Sequence, residues 1–322
     1  MNSRRLYAAS LGLALMTAFL ADHASAYCRM TTQGGAQVGE LACAEKGEPL
    51  VWDTACLSYA IDSRGSRWMD SEEVDFAVDG AFASWMDADC GGSPPNLIFQ
   101  PLQPSTCQRA EFNDTGNVNT IAFLDPWKDP CAESGGYDPS AFAVTVVWHN
   151  TSTGEIFDAD MMINDRLATG SNAGGPYAIC PDTGCPSGNP GPADLQSIVT
   201  HEAGHFIGIG HSDVEEATMF ATAERDSVDK RTLAADDIEA VCDIYPPGNL
   251  DSSCNAAPLC GLELDCEAAA CSSTTGTGDC GKSGGGCSAS GTPSDAPWMT
   301  LLAGMLGVTV MRRRSARLAA RS

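Results

Sequence analysis

The chain has 322 residues, 43% of them hydrophobic, with 18 basic and 42 acidic side chains and a formal net charge of −24. Seven of the basic and two of the acidic residues lie in residues 1–26 and 288–322, so residues 27–287 carry 11 basic and 40 acidic groups, a net of −29. A surface of that sign repels nucleic acid, which excludes nucleic-acid binding, and it offers many carboxylates to Ca2+.

Residues 1–26 carry Arg4 and Arg5, an apolar run from Leu6 to Leu20, and then Ala24-Ser25-Ala26. A basic start, an apolar stretch and a small-residue cleavage site define a secretory signal peptide, cut after Ala26. A membrane anchor is the alternative, and the run is short for one. Fifteen cysteines in an exported chain argue for disulfides. With Cys287 set aside, nine lie between Cys28 and Cys242 and five between Cys254 and Cys280. If all fourteen pair, at least one bridge joins the two groups.

Residues 27–247 are long enough for one domain with a substantial core. "PLVWDTACLSYAID" (49–62) reads as a strand. "DSEEVDFAVDGAFASWMDAD" (70–89) reads as a helix capped by Asp70, with Glu73 three residues on. Val74, Val78, Ala81, Phe82 and Trp85 fall on its core face. Strands follow at 96–100 and 119–124, then a hairpin of "AFAVTVVWHN" (141–150) and "EIFDADMMIN" (155–164) around "TSTG". Cys180–Pro192 is a Pro/Gly-rich loop. A helix over 193–210 begins at Asp194 as N-cap, with Leu195, Ile198, Val199 and Phe206 as its apolar positions, and a last helix covers 233–245. This order reads as an α+β domain with a mixed twisted sheet, followed by a polar, Cys-rich tail over 248–287.

The stretch "HEAGHFIGIGH" (201–211) carries the chemistry. Positions four apart share a helix face, so His201 and His205 can present imidazoles to one metal ion, and Zn2+ takes such a pair readily. Glu202 projects beside them as a candidate general base for a metal-bound water. His211 supplies a third ligand if the chain turns back sharply. Gly208, three after His205, is placed to end the helix at positive φ, and Gly210 gives further room. Five fixed residues in this pattern arise by chance in about one chain in ten thousand of this length.

On these residues the chain resembles the metzincin metalloproteases, and within them the matrixins. The resemblance implies a zincin-type catalytic domain with an active-site helix and a C-terminal helix, spanning residues 49–247. It implies a methionine turn under the metal, for which "HSDVEEATMF" offers Met219 as a packing residue rather than a ligand. Ser212 after the third histidine fits the matrixin pattern. Ala221 stands where astacin-like and serralysin-like relatives carry a tyrosine, so no tyrosine ligand is expected. His149 is the one histidine left for a second, structural zinc, so none is expected. Calcium is a candidate replacement, with Asp158, Asp160, Asn164 and Asp165 as its ligands, against the alternative of turn and surface carboxylates. No propeptide cysteine motif of the family is present. Cys28 could cap the zinc as a thiolate, and a disulfide is the preferred alternative. The resemblance further implies an extended substrate along a sheet edge, expected at 155–164. The segment after Met219, "FATAERDSVDKRT", shows no distinctive feature.

At the C-terminus a Gly/Ser-rich spacer precedes Ala296–Met311, mostly apolar, and then Arg312, Arg313, Arg314, Arg317 and Arg321. A helix of those 16 residues covers about 24 Å, just short of a ~30 Å hydrocarbon core. A frayed amphipathic tail is the alternative. The "GGGCS" cysteine, short apolar helix and arginine cluster resemble the myxobacterial sorting signal called MYXO-CTERM. That resemblance implies processing near Cys287, with 288–322 as the signal.

Together these readings predict a secreted or cell-surface zinc endopeptidase acting on protein or peptide substrates, and handled by export and C-terminal sorting machinery. The rivals are a non-catalytic, metal-stabilised adhesion module and a zinc hydrolase with a non-peptide substrate. Glu202 weighs against the module, which has no use for a base.

Overall fold

The structure is a computed structural model, and it describes residues 27–33, 43, 46–113, 116–130, 136–167, 176–186, 191–248, 257–266 and 300–302. Its centre is a mixed sheet of β1 (Cys56–Ile61), β2 (Ile98–Pro101), β3 (Thr120–Leu124), β4 (Ala143–His149), β5 (Ile156–Asn164) and β8 (Thr300–Leu302), in the order β2-β1-β3-β5-β4-β8. The strands β2, β1, β3 and β5 run parallel, while β4 is antiparallel to β5 and β8 antiparallel to β4. A two-residue pair, β6 (Tyr177–Ala178) with β7 (Ala193–Asp194), lies apart. With helices α1 (Ser71–Met86), α2 (Leu195–Phe206) and α3 (Ala235–Ile244), the fold is α+β.

Helix α1 starts where its sequence dictates. The Asp70 carboxylate accepts from the Glu73 backbone, the Glu73 carboxylate accepts from Asp70 N, and acidic side chains fill the first turn. Its buried face, Val74, Ala77, Val78, Ala81, Phe82 and Trp85, packs against α2 and the sheet. Each large side chain there is worth roughly 1.5–3 kcal/mol of burial. Phe82 is stacked 4.4 Å from Tyr59 and meets Phe206 edge-on at 5.6 Å, tying strand, α1 and α2 together.

Strand residues alternate between two cores. Ala143, Val147, Ala159, Met161 and Ile163 face the helices, whereas Val144, Val146, Trp148 and Met162 face a second cluster with Phe112, Trp127 and Tyr137. That second face is covered in part by residues 257–266 of the Cys-rich tail, which bridge Leu262 to Asn117 and carry the Cys107–Cys266 disulfide. Three further described disulfides are Cys28–Cys43, Cys90–Cys242 and Cys180–Cys185. Both faces of β3, β4 and β5 are therefore buried, as their near-continuous apolar runs require.

Two expectations change. The strand over 155–164 is not an edge: β5 sits between β3 and β4, and the outer strand of the hairpin is β4. Pairing with β3 over Ile121–Leu124 pulls β5 inward. Within the predicted apolar helix over 296–311, Thr300–Leu302 is an extended strand on Thr145–Val147. Among the described residues no helix is long and apolar enough to cross a membrane. Residues 1–26, Cys287 and the arginine cluster lie outside the described residues.

Candidate metal centre and catalytic site

Helix α2 is fixed at both ends before it presents any ligand. Asp194 caps it, accepting from Ser197 N and Ser197 Oγ at 2.8 Å each, and Arg231 Nε donates to the same carboxylate at 2.8 Å. The helix stops at Phe206, and Gly208 adopts φ +88°. A Cβ at Gly208 would lie 2.5 Å from Leu50 O, so glycine is required by conformation and by space. The N-terminal segment then grips the turn: Met30 N donates to Gly208 O, and Gly210 N donates to Cys28 O at 2.7 Å. The chain doubles back to bring His211 beside the other two histidines. Cys28 is bonded to Cys43, so its sulfur is not a thiolate available to the metal.

The three imidazoles meet with ring centroids 4.9–5.3 Å apart, and one ligating nitrogen from each lies within 4.8 Å of the others. His201 Nδ1 donates to Thr218 O at 2.7 Å and His205 Nδ1 to Ile209 O at 2.8 Å. A carbonyl only accepts, so each Nδ1 holds the proton and each Nε2 keeps its lone pair. These Nε2 atoms, both ring nitrogens of His211 and Oε1 of Glu202 are buried without a hydrogen-bond partner. Buried polar atoms are almost always paired, so such a cluster marks a place built for a ligand. Burial holds all three imidazoles below their usual range, His205 at about 4, with the Lys230 cation adding to the shift in each. Neutral imidazoles are what a zinc ion binds, and the all-nitrogen, buried donor set fits Zn2+.

Glu202 is fully buried, and its Oε2 accepts from Thr145 Oγ1 of β4 at 2.7 Å. Burial pushes its carboxyl up to about 8, with the threonine bond pulling the other way. One oxygen is thus held, and the other, Oε1, is buried without a partner.

Beneath the site, Met219 is 1% exposed and packs on Gly204, where an added Cβ would lie 2.2 Å from Met219 Sδ and 2.8 Å from Trp85. Gly204 therefore has a reason to sit inside a helix, where glycine costs about 1 kcal/mol relative to alanine. That penalty was the one signal in the sequence that pointed to it. The turn around Met219 is held by the two acids opening α3. Asp237 accepts from Thr218 N and Met219 N, and Asp236 accepts from Ser212 Oγ at 2.6 Å. Thr145, Gly204, Lys230, Asp236 and Asp237 all escaped the sequence reading.

The four calcium candidates do not share one site. Asp158 and Asp160 form a fully buried pair on the far face of β5, bonded to Asn117 Nδ2 and to the backbone of Glu111 and Thr120. The Asn164 amide donates to Ala141 O, and the Asp165 carboxylate accepts from Ser66 Oγ and Arg67 N. A second ligand-like group, Cys180, Cys185 and Asp194, is already consumed by a disulfide and by the cap of α2.

This site lies within a stretch with known relatives. Residues 127–246 match the family model described as matrixin. Matrixins use a catalytic zinc, often with calcium, so the cofactor is Zn2+. The chain is similar to the metalloendoproteinase 1-MMP of Arabidopsis thaliana, 43% identical over 54 residues, covering 17% of this chain and 15% of that protein. It is also similar to the metalloendoproteinase 5-MMP of that plant, 46% over 52 residues (16% and 14%). With matrilysin of Rattus norvegicus the identity is 30% over 87 residues, 27% of this chain and 33% of that protein. The chain thus spans about a seventh of the two plant proteins and a third of the rat one.

Proposed function

We propose that this protein is a secreted zinc endopeptidase whose general base is Glu202. The observation that carries the reading is the meeting of three buried imidazoles, one ligating nitrogen of each within 4.8 Å of the others, with their Nε2 atoms and Glu202 Oε1 left unpartnered. His201, His205 and His211 would hold Zn2+, which would supply Lewis acidity to the attacking water and the scissile carbonyl. Glu202 takes the proton of that water on Oε1 and returns it to the leaving amine, while Thr145 keeps the carboxylate aimed by holding Oε2. Met219 fills the floor of the site and does not ligate.

The substrate lies extended along β4, not β5. Support comes from Thr300–Leu302, the chain's own example of antiparallel addition to that edge, paired with Thr145 at its end. Export is supported by the described disulfides, which persist in oxidising compartments. Residues 1–26 act as the export signal and 288–322, with Cys287, as the sorting signal, leaving the protein at the surface or released.

The test is cleavage of a denatured protein by the parent and by Glu202→Ala, each with its zinc content measured. Cleavage is expected from the parent alone, reduced by about 10²–10⁴ in the variant, with one zinc in both. Equal cleavage by both would remove Glu202 from the mechanism, and a zinc-loaded parent without cleavage would favour the binding-module alternative.

A further inference from the structure

We propose that Lys230 is a positioning residue of the metal site, acting on His201 through the turn that carries Met219. The inference rests on the zinc-site reading above.

Lys230 is 9% exposed, and its ammonium is turned inward. Nζ donates to Thr218 O at 2.7 Å, Phe220 O at 2.6 Å and Ala217 O at 3.3 Å, so all three of its donors end on carbonyls of the Met219 turn. The turn's amides point the other way, and Asp237 accepts from Thr218 N at 2.7 Å and Met219 N at 3.0 Å. A cation on the carbonyls and an anion on the amides grip the same peptide groups from opposite sides. Charge-assisted bonds are the strong ones, and within a buried turn they fix its orientation.

The Thr218 carbonyl makes this more than loop closure. It also accepts from His201 Nδ1 at 2.7 Å, so one oxygen is shared by the ammonium and by a metal ligand. Lys230 holds that oxygen in place, and the oxygen sets the tilt and tautomer of the His201 ring. His205 differs, because its carbonyl partner, Ile209 O, belongs to the turn that follows its own helix. His201 is therefore the ligand whose aim depends on a distant cation. Outer partners of this kind set the affinity of a metal site as well as its geometry.

Lys230→Met keeps the length of the side chain and removes its charge and donors. Zinc affinity by chelator competition, the visible spectrum of the Co2+-loaded protein and thermal unfolding are measured together. The expected result is a folded variant that binds zinc about 10–100-fold more weakly and shows shifted Co2+ bands. Unchanged affinity with an identical Co2+ spectrum overturns the proposal, since loss of stability alone would mark a structural lysine. Should the variant not fold, hydrogen exchange on the parent decides. Zinc loading is expected to slow exchange at the Thr218 and Met219 amides, and exchange indifferent to zinc overturns the coupling. A parent that binds zinc and shows this coupling without cleaving peptide would fail the peptidase reading alone. A parent that binds no zinc overturns both.

Discussion

Two buried polar clusters lie on opposite faces of the β4–β5 hairpin, and they are opposite in kind. On the helix side, three imidazoles and Glu202 leave five buried atoms without partners. On the far side, Asp158 and Asp160 are as deeply buried, but Asn117 and the amides of Glu111 and Thr120 satisfy three of their four oxygens. Burial alone does not distinguish a reactive site from a structural one. The concentration of unmet hydrogen-bonding capacity does: five such atoms belong to the front cluster, against Asp158 Oδ2 alone in the far one.

The largest effect that tests this contrast is removal of an imidazole from the front cluster. His211→Ala leaves two ligands on α2 and none beyond the Gly208 turn. Loss of stoichiometric zinc by elemental analysis and loss of detectable cleavage are expected, with the fold retained by circular dichroism. Zinc retained at parental affinity would show that the turn does not deliver a ligand.

Next comes the floor. In Gly204→Ala the new methyl meets Met219 Sδ and the Trp85 ring, which already donates Nε1–H to Thr200 O at 2.8 Å. Helix propensity alone favours alanine by about 1 kcal/mol. Overpacking of this kind costs about 1–3 kcal/mol, so the net sign is destabilising. Urea unfolding should show a lower midpoint in the variant, and a higher one would mean that Met219 moves aside freely.

These residues also show what could be read from the chain. The capping box of α1 and the ligand spacing of α2 were legible because both are local, set by 3.6-residue periodicity and by a glycine where positive φ is needed. The substrate edge was not, because β4 and β5 are equally apolar and their order depends on a parallel pairing with β3 made across the sequence. Lys230, Asp236 and Asp237 were hidden for the same reason: in one dimension they are ordinary surface charges. In sequence, Asp158 and Asp160 read as calcium ligands or surface carboxylates, because the tail segment that helps bury their face is about a hundred residues downstream.

A smaller effect concerns the outer edge of β4. A chain ending at Cys287 lacks Thr300–Leu302 and leaves Thr145–Val147 open to an extended peptide. Its kcat/KM on a peptide substrate should exceed that of the full chain by a few-fold, mainly through KM. Equal values would show that this strand does not compete with substrate.

The smallest prediction returns to the far cluster and fixes its sign with pH. Burial raises both carboxyls, Asp158 well above its usual value and Asp160 to about 8. An unfolded aspartate titrates near ~3.9, so between about pH 4 and 8 the folded protein holds a proton that the unfolded chain has lost. The pair's contribution to stability is therefore complete below about pH 4 and declines as pH rises through about 8. Asp158→Asn replaces the shared proton with an amide that does not titrate. The variant should lose less stability than the parent between pH 5 and pH 8, seen as a smaller fall in melting temperature across that range. Differences between variant and parent cancel the other carboxylates of this acidic chain. A parallel pH dependence in the two proteins would place the proton elsewhere. A calcium-induced rise at pH 8 that Asp158→Asn abolishes would instead give the pair to the cation that matrixins often carry.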